Sequence, residues 1–240
     1  MVKFYIKVLQ PPYFLEAMNY RNLLLICLTL TTLQVVKAQS KIEQFNHHNL
    51  EGWYAYEPET GKHEQASDIF KTSQRMIRLY GEKLGYLMSK QSYSNFKLTV
   101  EFRWNTDSTF SRKTDKKNSG IMYLIPSQAP DMLWPKGIQF QIKEGATGDF
   151  VLLQDVTILI KGKQTIPGKS VTATRFEDAE RPYGQWNTVV ITSKDGKIKQ
   201  ELNGKLVNEG TEPTVSEGRI LIQYEGYPID FRKLVMKKLK

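Results

Sequence analysis

The sequence predicts an all-β protein, a sandwich or barrel of short antiparallel strands. Three observations predict it. Several runs alternate apolar and polar residues with a period of two. Asp-Gly and Asn-Gly dipeptides separate some of those runs. After Ser40, no stretch keeps apolar residues at helical spacing for more than about two turns.

The alternation is cleanest in Phe96–Trp104. Phe96, Leu98, Val100, Phe102 and Trp104 share one face, and Lys97, Thr99, Glu101 and Arg103 share the other. Ile138–Ile142 repeats the pattern and sets Gln139 beside Gln141. Nearer the C-terminus, Ile220, Ile222 and Tyr224 alternate with Leu221, Gln223 and Glu225. Asp195-Gly196 separates Trp186–Ser193 from Ile198–Leu202, and Asn203-Gly204 separates the latter from Lys205–Val207. Both dipeptides suit hairpin turns that need positive φ, so these three runs form a meander. Two packed sheets can bury enough apolar surface for a chain of this size without disulfides.

Residues 1–38 read as a targeting segment ahead of a single domain over 39–240. Leu23–Leu30 is a short apolar core, Arg21 precedes it, and Val36-Lys37-Ala38 ends it as a cleavage site would. The core is too short and too Thr-rich for a membrane span. Met18 offers a second start that would give the segment a conventional length. The mature chain is expected to begin near Gln39, to be secreted or periplasmic, and to carry no transmembrane span. Cys27 is the one cysteine and falls in the removed part, which excludes a disulfide framework and a Cys nucleophile.

The net charge is +9, of which residues 1–38 account for +3. The rest is spread thinly, and the densest basic stretch, Arg112 to Lys117, contains Asp115. No basic stripe accompanies a reading element, so nucleic acid is not an expected partner. Phosphate-binding loops and the G-x-S-x-G elbow are absent. His47 and His48 are adjacent, which points them to opposite faces of a strand, and only His63 remains to help hold a metal.

Carboxylate, amide and guanidinium side chains recur on the polar faces of several strands: Glu101 and Arg103, Gln139 and Gln141, Gln223 and Glu225, Arg232. A solvated sheet face is expected to be polar, but Lys197, Lys199 and Glu201 show what such a face ordinarily holds. Amides and Arg, with Trp104 and Trp134 nearby, suit a sugar surface, because planar donors and acceptors match vicinal hydroxyls.

Several short tags in order resemble the 3-keto-disaccharide hydrolase family. They are Asn49-Leu50-Glu51-Gly52-Trp53, Phe96–Arg103, Asn118-Ser119-Gly120-Ile121, Gly137–Ile142, Gly184-Gln185-Trp186-Asn187, Leu202-Asn203-Gly204, and Ile222–Gly226 with Phe231-Arg232. The resemblance runs from about residue 45 to 240. It implies a concanavalin-like jelly roll of two antiparallel sheets with a cleft on one of them, and action on glycosides oxidised at C3. A C3 ketone acidifies the C2 hydrogen, so a base can remove it and expel the C1 substituent; water then adds, for net hydrolysis. Such chemistry needs a base, donors for the enolate oxygen and an acid for the leaving group.

By that resemblance the cleft residues are Glu101, Arg103, Asn118, Gln139, Gln141, Gln223, Glu225 and Arg232, with Trp134 beside them. Glu225 or Glu101 is expected to move the proton, and Arg103 and the amides to bind substrate oxygens. Arg232 could equally pair a carboxylate. Glu144 and Asp149 resemble an E-G-x-x-G-D loop of one branch of the family, which could hold a divalent cation or cap the cleft; the sequence itself requires no cofactor. Gln139 stands where many members carry Glu, and Leu124 where many carry Arg. The expected ligand is therefore a carbohydrate, either as the substrate of a 3-keto-glycoside enzyme or as the ligand of a binding module.

Overall fold

A computed structural model describes residues 42–44, 50–80, 83–112 and 114–240. The targeting segment expected over residues 1–38, and also His47 and His48, lie outside the described residues. Among those described, no helix is long and apolar enough to cross a membrane.

The chain forms β1 (Ile42–Gln44), β2 (Trp53–Glu57), β3 (Gly61–His63), a 3₁₀ turn at Ala66–Asp68, β4 (Lys71–Ser73), β5 (Met76–Leu79) and β6 (Gly85–Ser89). The long central strands follow: β7 (Phe96–Trp104), β8 (Asn118–Ile125), β9 (Gly137–Lys143) and β10 (Phe150–Leu153). Then come the short β11 (Leu159–Ile160), β12 (Lys163–Gln164) and β13 (Ser170–Ala173). The chain closes with β14 (Asn187–Lys194), β15 (Lys197–Leu202), β16 (Lys205–Thr211), β17 (Arg219–Tyr224) and β18 (Ile229–Lys238).

These strands make two antiparallel sheets, the arrangement that the family resemblance implied and one of the two, sandwich or barrel, that the alternation left open. The first runs β12-β11-β16-β15-β14-β7-β18-β5-β4, with β1 also paired to β18; the second runs β13-β10-β9-β8-β17-β6-β2-β3. The β14-β15-β16 meander is present. Its turns hold Asp195, Gly196, Asn203 and Gly204 at φ of 49°, 71°, 53° and 83°, the left-handed values that tight hairpins demand.

Register decides which residues meet. Phe102 pairs with Phe231 across β7 and β18, both facing inward, while the outward pairs are Glu101 with Arg232 and Arg103 with Asp230. Opposite charges thus sit directly across the ladder, where they attract. The inner faces of the two sheets enclose Val100, Phe102, Ile121, Phe140, Ile222, Tyr224 and Phe231 in one fully buried core. Inside it, buried Gln200 donates to the Tyr123 hydroxyl at 2.8 Å, so the polar tip of a core tyrosine is satisfied.

The outer face of the second sheet is not uniformly solvated. Tyr54, Tyr86, Met88, Met122, Val151, Leu153 and Leu221 form a second apolar layer on it. The β8–β9 connection folds back over part of this layer. Asp131 of that connection accepts the hydroxyls of Tyr54 and Tyr86, both at 2.6 Å. Arg219 donates to Tyr54 and to the carbonyls of Pro126 and Ala129. One end of the outer face is therefore covered and the other left open.

Candidate functional site

The residues expected in one cleft divide between the two sheets. On the outer face of the second sheet, alternation along β9 aligns Gln139, Gln141 and Lys143, while β8 contributes Asn118. Glu225 follows directly after β17. A chain of side-chain hydrogen bonds joins them. Gln139 donates to Gln141 at 2.5 Å, Gln141 donates to the Asn118 carbonyl at 2.7 Å, and Asn118 donates to the Glu225 carboxylate. The Trp134 indole N–H, reaching in from the folded-back connection, lies 3.4 Å from the other Glu225 oxygen. Gln223 donates to the Leu133 carbonyl at 3.2 Å and so ties the same connection down.

Asn118, Trp134, Gln139, Gln141, Lys143 and Glu225 border a cavity of about 530 Å³, with Val151 and Leu153 as its apolar wall. Gln139 is one of the lining residues, and its Oε1 is buried with no hydrogen-bond partner among the described residues. Burial raises the Glu225 carboxyl above its ordinary range, against the opposing hydrogen bonds from Trp134 and Asn118 and the charge of Lys143.

The Asn118-Ser119-Gly120 tag has a physical reason at each position. Asn118 relays between Gln141 and Glu225. Ser119 donates its hydroxyl to the Gln223 carbonyl at 2.7 Å, locking β8 to β17. Gly120 leaves room for Gln139: a Cβ there would fall 2.5 Å from Gln139 Nε2 and 2.6 Å from Cδ.

Glu101, Arg103 and Arg232 do not join this cavity. They point from the outer face of the first sheet, because odd positions of β7 face away from the core and β7 belongs to the other layer. Glu101 accepts from Arg232 Nε at 2.7 Å and from Lys233 at 2.9 Å. Burial pushes its carboxyl up, but those two cations outweigh burial and hold it below the ordinary range. Trp104 is likewise not a surface aromatic; it lies in the core with its indole N–H donated to Glu180. Leu124, at a position the family resemblance singles out, is a core residue.

The Glu144 and Asp149 carboxylates are each engaged by a cation of the chain. Glu144 pairs with Lys117 on an exposed turn. Asp149 lines the cavity but accepts from the Arg175 backbone and guanidinium. Among the described residues no three His, Cys, Asp or Glu side chains group as a metal site.

Two contributors escaped sequence reading. Lys143 continues the Gln139, Gln141 alternation by one step, so the signal was present. Asp131, which pins the connection carrying Trp134, lies in an irregular segment with no period to read.

The chain matches the model of the 3-keto-alpha-glucoside-1,2-lyase-like domain over residues 40–237. Two candidate glycosyl hydrolases of Parabacteroides distasonis ATCC 8503 share the fold. One has a TM-score of 0.57 at 17% identity, covering 83% of this chain and 100% of its own; the other has 0.56 at 16%, covering 82% and 92%. LamAcat from Zobellia galactanivorans superposes with a TM-score of 0.50 at 10% identity over 83% of this chain and 97% of its own. No curated protein matches the chain.

Proposed function

The chain belongs to the 3-keto-alpha-glucoside-1,2-lyase-like domain family, and from that premise we propose that the cavity on the outer face of its second sheet cleaves glycosides carrying a ketone at C3. One observation carries the reading. Glu225 is a partly buried carboxylate with a raised pKa, held by Asn118 and Trp134 at the wall of a cavity lined by amides. A carboxyl moved toward neutrality serves both as a base when charged and as an acid when protonated.

In this reading Glu225 removes the proton from C2. The C–H electron pair passes toward C3 and leaves its oxygen as an enolate. That enolate collapses, the C1–O bond breaks, and the departing oxygen takes a proton. Water then adds across the C1–C2 double bond, which restores the sugar and completes hydrolysis. Donors along the cavity wall would hold the C3 oxygen as charge develops on it. Trp134, which is 46% exposed at the rim, offers a flat apolar surface to a sugar ring.

The other reading is a module that binds glycans without turning them over. Gln139 favours it, because an amide stands where the family resemblance leads one to expect a second carboxylate. Turnover separates the two. Incubating purified protein with 3-keto-glucosides should release the aglycone; binding of unoxidised glycans with no release from any 3-keto-glucoside would establish the module instead.

A further inference from the structure

We propose that the outer face of the first sheet carries a second binding site, one that takes the carboxylate or sulfate group of an acidic saccharide. Two of the sequence tags that the cavity above does not use, Phe96–Arg103 and Gly184–Asn187, converge there with the Phe231-Arg232 end of a third. Trp186 stands immediately before β14, and the pairing of Asn187 with Phe102 sets it across from Arg103 of β7. The guanidinium carbon of Arg103 lies 4.7 Å from the Trp186 ring centre, and that of Arg232 lies 3.9 Å from it. Stacking on an indole orients a planar guanidinium without consuming its N–H donors.

Each arginine is anchored through one nitrogen. Arg103 Nε donates to Asp230 at 3.0 Å, and Arg232 Nε donates to Glu101 at 2.7 Å. Among the hydrogen bonds of the described residues, none uses an Nη group of either arginine. The carboxylates are more heavily engaged than the cations. Asp230 also accepts from Tyr80 and Asn105, and Glu101 also accepts from Lys233. Two oriented guanidinium groups are left with terminal donors to spare.

The β4–β5 hairpin brings a third. Gln74 and Arg75 are its two central residues, at φ of 52° and 59°. That left-handed pair ordinarily selects Asn-Gly, because larger side chains are disfavoured there. Here the turn carries two long polar side chains to the edge of an open depression of about 440 Å³, which Arg103, Trp186 and Arg232 also line. Among the described residues no acidic side chain lines it. Guanidinium forks match the paired oxygens of a carboxylate or sulfate, and an open depression suits a group borne on a longer chain. The choice of a saccharide as carrier rests on the carbohydrate reading above; the demand for an anion does not.

The test titrates the purified chain calorimetrically with an oligogalacturonate, a sulfated dextran oligosaccharide, neutral maltohexaose, inorganic sulfate and a short DNA duplex. Both acidic oligosaccharides should bind more tightly than maltohexaose, with affinity falling as salt rises and with inorganic sulfate competing. Arg75→Gln, at an exposed turn, should weaken that binding about tenfold, the loss expected for one charged hydrogen bond. Arg103→Lys, which keeps the charge opposite Asp230 but removes the fork, should weaken it as well. Glu225→Gln should leave it unchanged. The proposal is overturned if neither acidic oligosaccharide binds, if both arginine variants bind like wild type, or if the DNA duplex binds as tightly as the sugars. Lost 3-keto-glucoside turnover with intact anion binding would remove only the function proposed above, and the reverse result would remove only this site.

Discussion

Asn118 donates its amide to the Glu225 carboxylate while its own carbonyl accepts from Gln141. The orientation of Asn118 is thus set from behind, and its N–H is left for the charged form of Glu225. Removing that donor should raise the Glu225 pKa further, because a hydrogen bond to the ionised form is lost. For Asn118→Ala, the rise of 3-keto-glucoside cleavage with pH is expected to shift to higher pH, with lower turnover at neutrality. A pH–rate profile measures both, and an unmoved profile would show that Asn118 does not tune Glu225.

Glu225→Gln should reduce turnover by about 10²-fold or more, the scale of a lost general acid–base group, while ligand binding persists. It should also change stability. A carboxyl with a raised folded pKa binds more protons folded than unfolded, so wild-type stability falls as pH climbs from the ordinary carboxylate range through the raised value. The Gln variant lacks this term. Its urea midpoint should therefore fall less than the wild type's between acidic and neutral pH.

Glu101 carries the opposite sign. Its folded pKa is lowered, so its pairs with Arg232 and Lys233 contribute stability above the ordinary carboxylate range, and that contribution fades as pH falls through the lowered value. In Glu101→Gln the acid-side loss of stability should be smaller than in wild type, and turnover of 3-keto-glucosides should stay near wild type. A large loss of turnover in a folded variant would place Glu101 in the chemistry.

Gly120→Ala tests the cavity floor sterically. The backbone of Gly120 is not left-handed, so the added methyl acts only through its clash with Gln139. Displacing Gln139 should disconnect it from Gln141 and weaken sugar binding at the cavity. Circular dichroism should remain that of the wild-type β-sandwich. Unchanged affinity would show that the Gln139 position is not needed for binding.

The N-terminus supplies a test outside the described residues. If residues 1–38 act as a secretory signal, N-terminal sequencing of native protein should start near Gln39. An intact N-terminus on soluble cytoplasmic protein would end that proposal.

Alternation along β7, β9 and β17, together with the Asp195-Gly196 and Asn203-Gly204 turns, was sufficient by itself to determine an all-β fold and the face on which each side chain lies. Period-two patterning is a local property, because successive Cβ atoms alternate whatever the strand pairs with. Ordered tags likewise led to the family that residues 40–237 match. Which polar faces belong together was a different question, and only the tertiary structure decided it. Glu101 and Glu225 both lie on outward faces, and nothing local to either strand records that β7 and β17 belong to opposite sheets. That assignment comes from pairings across the chain, β18 with β7 and β17 with β8. There, burial of Phe102, Phe231, Ile121 and Ile222 against one another selects the partners. The folded-back connection with Asp131 and Trp134 was decided in the same way. Its place depends on the hydroxyls of Tyr54 and Tyr86, residues that become its neighbours only once β2, β6, β17 and β8 lie side by side.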